Sequence, residues 1–564
     1  MNKKKLLFLI LILAASLRLL LLSQGDALGD ETILAFRSIG MLDFDNAEHQ
    51  TTPLEWFDPE IPWWTKLSFH DHPPLTFLFQ NISMKILGES FFALRLPSAV
   101  FGLLSVLLIY LIGKRIFGEN GGLLSALIFA ITANHVFISR IGLQESIVIF
   151  FLLAVFYFLL RSLENDKYLI YAGAALGLAL LSKYTAAAAI PISIIWIAFV
   201  KPVYLKKKSF WLGALLTILI LSPVIFYNIK LYERAGHFDF QLSYVFGQKP
   251  EAWKVAPGKE SVGGLSNRVS AFIPNLFASH SWLFLAISLV STIILFFRYK
   301  KFPGTPTGKN LLAVSVAVFA LFMLVTGPTR RFLTMLTPFL TLTLTGLFLA
   351  LGNIFRNTKI SFKHYALGIF FVFELLYSLN SAIIAYPKGL PVLAFSETRY
   401  ENYSWGYKEL DDFLTQELTG KTPAFTFDAK YEFLKKIQDA NSRRDVERGL
   451  TPYSALIVYD DRIYNTAKLW IFDRRQIYRG WPVISASEYG AILNKKGTDY
   501  FTDSGFKAVY LIKIIGTLPL KNVSEKAEKS SEILPQTAPF FKAPKSIIRS
   551  KRGEEIFVVY EAQI

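Results

Sequence analysis

Pro74-Leu75-Thr76-Phe77-Leu78-Phe79-Gln80-Asn81-Ile82-Ser83-Met84-Lys85-Ile86-Leu87-Gly88 is the stretch on which the topology of this chain turns. At about 15 residues it falls short of the roughly 20 that a helix needs to cross a hydrocarbon core of about 30 Å. Leu75, Leu78, Phe79, Ile82 and Ile86 recur at helical spacing, while Thr76, Gln80, Ser83 and Lys85 take other positions. That pattern predicts a helix lying in the membrane interface.

The neighbouring charges test this reading. A first span ends near Ser23, after a Lys3-Lys4-Lys5 start; an apolar run that continues through Arg18 without a small-x-small cleavage site is read as a retained helix and not a signal peptide. With no crossing at 74–88, further spans fall at 95–113, 121–138, 145–161, 167–182, 184–200, 209–228, 279–297, 310–326, 332–351 and 363–385. Lys114-Arg115, Arg161 with Lys167, Lys201 with Lys206 to Lys208, Arg298 to Lys309 and Arg356 to Lys363 then all share the cytoplasmic side with the N-terminus. The positive-inside rule is obeyed throughout, whereas a crossing at 74–88 would move every one of those clusters outside. Eleven spans follow, with the C-terminus outside, as expected of an integral plasma (inner) membrane protein.

Composition supports a polytopic α-helical membrane protein. The chain is 52% hydrophobic and only 18% charged, too apolar for an ordinary soluble globule of 564 residues. Its net charge of +17 sits in short clusters beside apolar runs, so it reflects orientation and not a nucleic-acid surface. Cysteine is absent, which excludes disulfides, thiolate metal sites and a cysteine nucleophile.

From about Tyr386 the composition becomes that of a soluble domain. Strands are expected at 423–428, 454–460, 508–514 and 555–560, with helices near 407–418, 429–440 and 487–495, and a long loop from Thr517 to Lys545. The chain therefore divides into a membrane domain over 1–385 and an extracytoplasmic α/β domain over 386–564.

On this topology the conspicuous polar groups gather at one outer surface. Gly29-Asp30-Glu31 follows the first span; a carboxylate there caps a helix or acts as general base toward a hydroxyl. Successive acids point to different helix faces, so only one of Asp30 and Glu31 meets a substrate. His70-Asp71-His72-Pro73-Pro74 offers two imidazoles facing the same way in an extended segment. They suit a divalent metal together with Asp71 or Glu31, or hydrogen bonds to phosphate, or else form a turn that launches the next helix. Arg140, in Ser139-Arg140-Ile141-Gly142-Leu143-Gln144-Glu145, binds phosphate through its fork of donors or pairs with Glu145. Lys183 between two short spans and the Arg330-Arg331 pair contact either an anionic ligand or lipid headgroups. Trp56, Trp63 and Trp64 read as an interfacial belt, and no glycine-rich nucleotide fingerprint stands in a strand-to-helix context, so no nucleotide cofactor is expected.

The order of these features, with Leu94-Arg95-Leu96-Pro97-Ser98-Ala99 following His72-Pro73-Pro74-Leu75 and Leu181-Ser182-Lys183 following Ser139-Arg140, resembles the dolichyl-phosphate-mannose protein mannosyltransferase superfamily. That superfamily includes the bacterial lipid A aminoarabinose transferases. The resemblance covers residues 1 to about 350. It implies a GT-C fold and an inverting glycosyltransferase that takes a sugar from a polyprenyl monophosphate at the outer face. The acceptor it implies is a hydroxyl of a protein, lipid or glycan, and the membrane lipids are the remaining partners. Asp30 matches the family's candidate base, and Glu145 its second functional acid, where Asp is commoner. The aminoarabinose transferases carry Lys before Pro-Pro as a phosphate contact. Here His72 stands there, which shifts phosphate charge onto Arg140, Lys183, Arg330 or Arg331 and favours the broader mannosyltransferase-like group. The rival reading is a polytopic lipid or sugar transporter or flippase with an external ligand-binding domain. Such proteins place ionisable groups near the bilayer midplane, whereas the spans here are nearly clean except for Glu374 and Arg18, which fits an enzyme at the outer edge better.

Overall fold

The stretch that decides the topology forms a 13-residue helix, Leu75–Leu87, between Pro74 and a left-handed Gly88. Its amphipathicity runs opposite to that of a soluble helix. Thr76, Gln80 and Asn81 are buried, whereas Leu78, Ile82 and Ile86 are exposed one turn apart. Gln80 Nε2 donates to the Gly142 carbonyl at 2.8 Å and Ser83 Oγ to that of Ala93 at 2.6 Å. Polar groups turned inward with an aliphatic row turned outward suit a helix half-embedded in lipid. The sequence pattern joined Leu75 to that row; the structure buries Leu75 instead.

The computed structural model describes residues 2–27, 29–44, 51–254, 263–354, 361–384, 390–394, 404–426, 430–463, 465–516, 518 and 543–564. These fall into two compact units, Met1–Ser23 with Trp64–Asn402 and Gln24–Trp63 with Tyr403–Ile564. Segment 24–63, which carries Asp30 and Glu31, thus groups with the C-terminal residues.

The first unit is helical. Helices occur at each expected span position, and among the described residues five have the length and apolarity to cross a membrane: Phe91–Ile131, Glu145–Ser162, Lys208–Ala235, Pro306–Thr326 and Arg330–Gly352. Tyr168–Ser182, Tyr184–Val200, Trp282–Phe297 and Leu367–Ala382 are shorter and apolar. Phe91–Ile131 contains two of the expected spans, joined where Gly118 leaves helical geometry at φ 79° and ψ 179°. Helices Tyr168–Ser182 and Lys208–Ala235 approach through glycine: a Cβ at Gly173 would stand 2.1 Å from the Gly213 oxygen, and Thr217 Oγ1 donates to the Gly173 carbonyl. Small residues let backbones meet where lipid supplies no hydrophobic drive.

Arginines finish the first helix, Lys3–Leu19. Its last carbonyls lack intrahelical donors, an expensive condition away from water. Arg140 donates to the carbonyls of Leu17, Leu20 and Leu21 at 3.0, 2.7 and 3.1 Å, and Arg95 to that of Leu22 at 3.1 Å. Arg18, fully buried, bonds to the Ala14 and Ala130 carbonyls and to His135 Nδ1. Cations at a helix C-terminus also complement its dipole.

The second unit carries a five-stranded sheet. With β1 Lys421–Pro423, β2 Thr451–Tyr453, β3 Ala455–Tyr459, β4 Val483–Ser485, β5 Ala508–Ile514, β6 Pro544–Arg549 and β7 Glu555–Gln563, its order is β4-β3-β5-β7-β6, and β1 pairs with β2 separately. β3 runs parallel to β4 and β5, whereas β7 is antiparallel to β5 and β6. Every residue of β3 is buried, as expected of an interior parallel strand. Helices Tyr407–Glu417, Glu432–Glu447 and Ala486–Lys496 stand close to their expected positions, the last opened by a Ser485/Glu488 capping box. The strand expected at 423–428 is the short β1; residues 427–429 and most of the expected 517–545 loop lie outside the described residues. A second core joins Phe36, Phe44 and Leu54 to Tyr431, Phe433, Ile477 and Tyr478.

Candidate functional site

Within the first unit, Glu145 and Lys183 meet. Glu145 opens the helix Glu145–Ser162, where unpaired N–H groups and the helix dipole favour a carboxylate. Lys183 sits at an extended break after Ser182, which turns its side chain out of the helical row. Its Nζ lies 2.6 Å from Glu145 Oε1 and 4.8 Å from the centre of the Phe332 ring. Both residues are buried, and the charge of neighbouring Arg331 also acts on Glu145. Arg330 is exposed and Arg331 half-buried in the same short turn. The structure thus brings together Glu145, Lys183 and Arg331. The Arg140 to Glu145 pair weighed from sequence is replaced by a partner 38 residues away. The guanidinium of Arg140 is instead spent on carbonyls: Nε donates to Ala382 O at 3.0 Å, and its other nitrogens close the first helix.

The adjacent Tyr184 leads to a second cluster. Its hydroxyl donates to Asp239 Oδ2 at 2.6 Å, and Asn228 Nδ2 donates to the same oxygen at 2.9 Å. Asp239 Oδ1 caps the short helix Phe240–Val245 by accepting the Leu242 N–H. Burial pushes the Asp239 carboxyl above the usual carboxylate range, and the charge of Asp71 adds to the shift. In the His-Asp-His loop, His72 Nδ1 lies 2.9 Å from Asp71 Oδ1 and His70 Nε2 lies 3.9 Å from Asp71 Oδ2. The loop is stitched to its neighbour through the Phe240 N–H, which donates to the His70 carbonyl. His70 stacks on Trp253, against whose edge His237 also packs. Asp239, Asn228, His237 and Trp253 escaped the sequence reading. Their only signal was His237-Phe238-Asp239 directly after a long apolar helix.

Asp30 and Glu31 belong to the second unit. They form the first turn of the helix Asp30–Gly40, with Asp30 exposed and Glu31 buried. Gly29 precedes them at φ 61° and ψ −139°, a conformation open to glycine and strained for other residues.

The fold of this chain, a helical membrane unit together with an α/β unit, is similar to that of a solved membrane enzyme, ArnT. The crystal structure of ArnT from Cupriavidus metallidurans in the apo state matches with a TM-score of 0.52 at 14% identity, covering 99% of this chain and 98% of that one. The structure of the same enzyme bound to undecaprenyl phosphate matches with a TM-score of 0.51 at 13% identity, over 98% and 97%.

Residues 71–227 match the dolichyl-phosphate-mannose-protein mannosyltransferase family. Two provisionally named mannosyltransferases of Bacillus subtilis (strain 168) are each 33% identical: YkcB over 97 residues, 17% of this chain and 14% of that protein, and YycA over 154 residues, 27% and 22%. The matched segments thus span less than a quarter of those curated relatives. Residues 71–227 thus resemble that mannosyltransferase family, and the fold is that of ArnT. The transporter reading is not favoured.

Proposed function

We propose that the protein is an inverting glycosyltransferase that moves a sugar from a polyprenyl-phosphate donor to an acceptor hydroxyl at the outer membrane–water interface. The observation that carries the reading is the buried Glu145–Lys183 pair beside Arg331, a set of cations at the edge of helices whose fold is that of ArnT. A polyprenyl donor keeps its phosphate at the interface, where Lys183, Arg330 and Arg331, with His72, supply donors and charge. Arg140 serves as the strut that finishes the first helix. Glu145 holds the Lys183 ammonium in place, which pre-organises it for the charge that develops on the leaving phosphate.

The acceptor oxygen bonds to the anomeric carbon as the carbon–phosphate-oxygen bond breaks. The electron pair leaves with the polyprenyl phosphate, and the hydroxyl proton passes to the Asp30 carboxylate. Attack opposite the leaving group inverts the anomeric centre. A divalent cation held by His70 and His72 with Asp71 is a second reading, supported by the approach of two imidazoles to Asp71. Sensitivity of transfer to EDTA tests it. The eleven-span topology, with the N-terminus cytoplasmic and the α/β unit outside, belongs to the same proposal.

The test uses the full-length protein in proteoliposomes supplied with undecaprenyl-phosphate-linked sugars and with hydroxyl acceptors of the protein, lipid and glycan classes. Asp30→Asn is expected to lower transfer by about 10²- to 10⁴-fold, the usual worth of a positioned general base, while leaving the thermal midpoint unchanged. A well-folded Asp30→Asn enzyme with wild-type activity overturns the assignment.

A further inference from the structure

The chain that leads into Asp30 is held at both ends of a short segment, and each holding group comes from the C-terminal residues. Asp26 is fully buried, and its carboxylate accepts the Trp405 N–H at 2.5 Å and the Lys408 N–H at 2.8 Å. It therefore caps the helix Tyr407–Glu417 from 382 residues away. Three residues on, Gly29 N–H donates to Thr466 Oγ1 at 2.9 Å. The Gly29 carbonyl in turn accepts from Thr32 Oγ1 at 2.8 Å and from the Thr32 N–H at 3.2 Å. Both backbone groups of the residue before Asp30 are thus engaged. The far end of the helix is also fixed: Tyr478 Oη donates to the Phe36 carbonyl at 2.9 Å, and its ring fills the space beside Gly40. Asp58 closes the segment by accepting the N–H groups of Glu432 and Phe433.

We propose that the α/β unit is the positioning frame of the catalytic acid, with Thr466 and Asp26 as positioning residues for Asp30. This rests on the reading of Asp30 as general base. It gives the C-terminal residues a task inside the chemical step in addition to any part in choosing an acceptor. A general base must stand within about 3 Å of the proton it takes. A displacement of about 1 Å at such a group lowers turnover as much as 10²-fold, although the displaced residues touch no substrate. Of the contacts described, the Gly29 to Thr466 bond lies nearest Asp30 along the chain. It is a single hydrogen bond between a backbone N–H and a hydroxyl, so it can be removed with little change of shape.

The experiment measures transfer by the full-length protein in proteoliposomes for wild type, Thr466→Val, Thr466→Ser, Asp26→Asn and Asp30→Asn. Thr466→Val is expected to lower kcat at least 10-fold with donor KM within twofold of wild type and an unchanged thermal midpoint. Thr466→Ser is expected to restore kcat. Asp26→Asn, which leaves one carbonyl oxygen for two N–H donors, is expected to lower kcat likewise and serves where Thr466→Val does not fold. An inactive Asp30→Asn beside Thr466→Val and Asp26→Asn variants of wild-type kcat overturns the positioning role and leaves the base standing. An active Asp30→Asn overturns the base by itself. A fall in kcat that Thr466→Ser does not restore also overturns the proposal, because loss of shape and not of the hydroxyl then explains it.

Discussion

Glu145→Gln separates what the Glu145–Lys183 pair does for folding from what it does for transfer. The side chains are 1% and 11% exposed and meet at 2.6 Å, so the substitution leaves a buried ammonium without its counter-charge. Removing one member of a buried pair costs about 3–5 kcal/mol. The ring of Phe332 faces Lys183 Nζ with or without the carboxylate and so does not enter the difference, which leaves the expected loss at roughly 3–5 kcal/mol. Lys183→Met strands the carboxylate and is expected to lose a similar amount. The double variant buries no charge of the pair and should lose about 1 kcal/mol or less, since well-packed neutral replacements are often tolerated. A double-mutant cycle by chemical denaturation of the full-length protein in mixed micelles should therefore give a coupling of about 2 kcal/mol or more. Sugar transfer should stay lost in the double variant although its stability returns. Single losses that add to within about 0.5 kcal/mol refute the pair as a coupled unit. A double variant that transfers sugar at the wild-type rate refutes its place in the chemistry.

Arg140→Lys replaces a three-nitrogen fork that reaches four carbonyls with a single ammonium. It is expected to lose about 2–4 kcal/mol of stability with donor KM unchanged, read by denaturation and by titration with the lipid donor. Asp26 predicts a pH dependence. Burial raises its carboxyl to about 7 against about 4 for an unfolded chain, so between those values the folded state holds a proton that the unfolded state has released. Stability linked to Asp26 is therefore full below about pH 4 and declines as pH rises toward about 7. Relative to Asp26→Asn, the wild-type thermal midpoint should fall between pH 5 and pH 7.5, and equal shifts in both proteins contradict the linkage.

What was legible in the sequence was what membranes and periodicity enforce segment by segment. Helices stand at each expected span position, and the shortness of Leu75–Leu87 follows from the length of its apolar run alone. The alternation of helix and strand after residue 404 was equally local, down to the Ser485 cap. Pairings across long separations were not. Nothing near Asp26 in sequence announces Lys408, so segment 24–63 read as a loop of the membrane domain although it groups with the C-terminal unit. Arg140 misled for a different reason. An arginine at an outer edge invites an anion, but the carbonyls that end a membrane helix are equally electronegative and are present in every span. Asp239 was hard to read because its one signal, His237-Phe238-Asp239 after a long apolar helix, carries no periodicity that points to a partner.

The arginines that finish the first helix bear on how the protein is made. Arg18 stands in the last turn of that helix, where a buried guanidinium left without partners is costly in lipid. Its partners, the Ala130 carbonyl and His135, lie more than a hundred residues further along, and the guanidinium of Arg140 follows them. Until that later stretch has been synthesised, the first helix lacks the partners that satisfy Arg18 and its last carbonyls. The C-terminal end of the first helix is thus satisfied by groups supplied more than a hundred residues later in the chain.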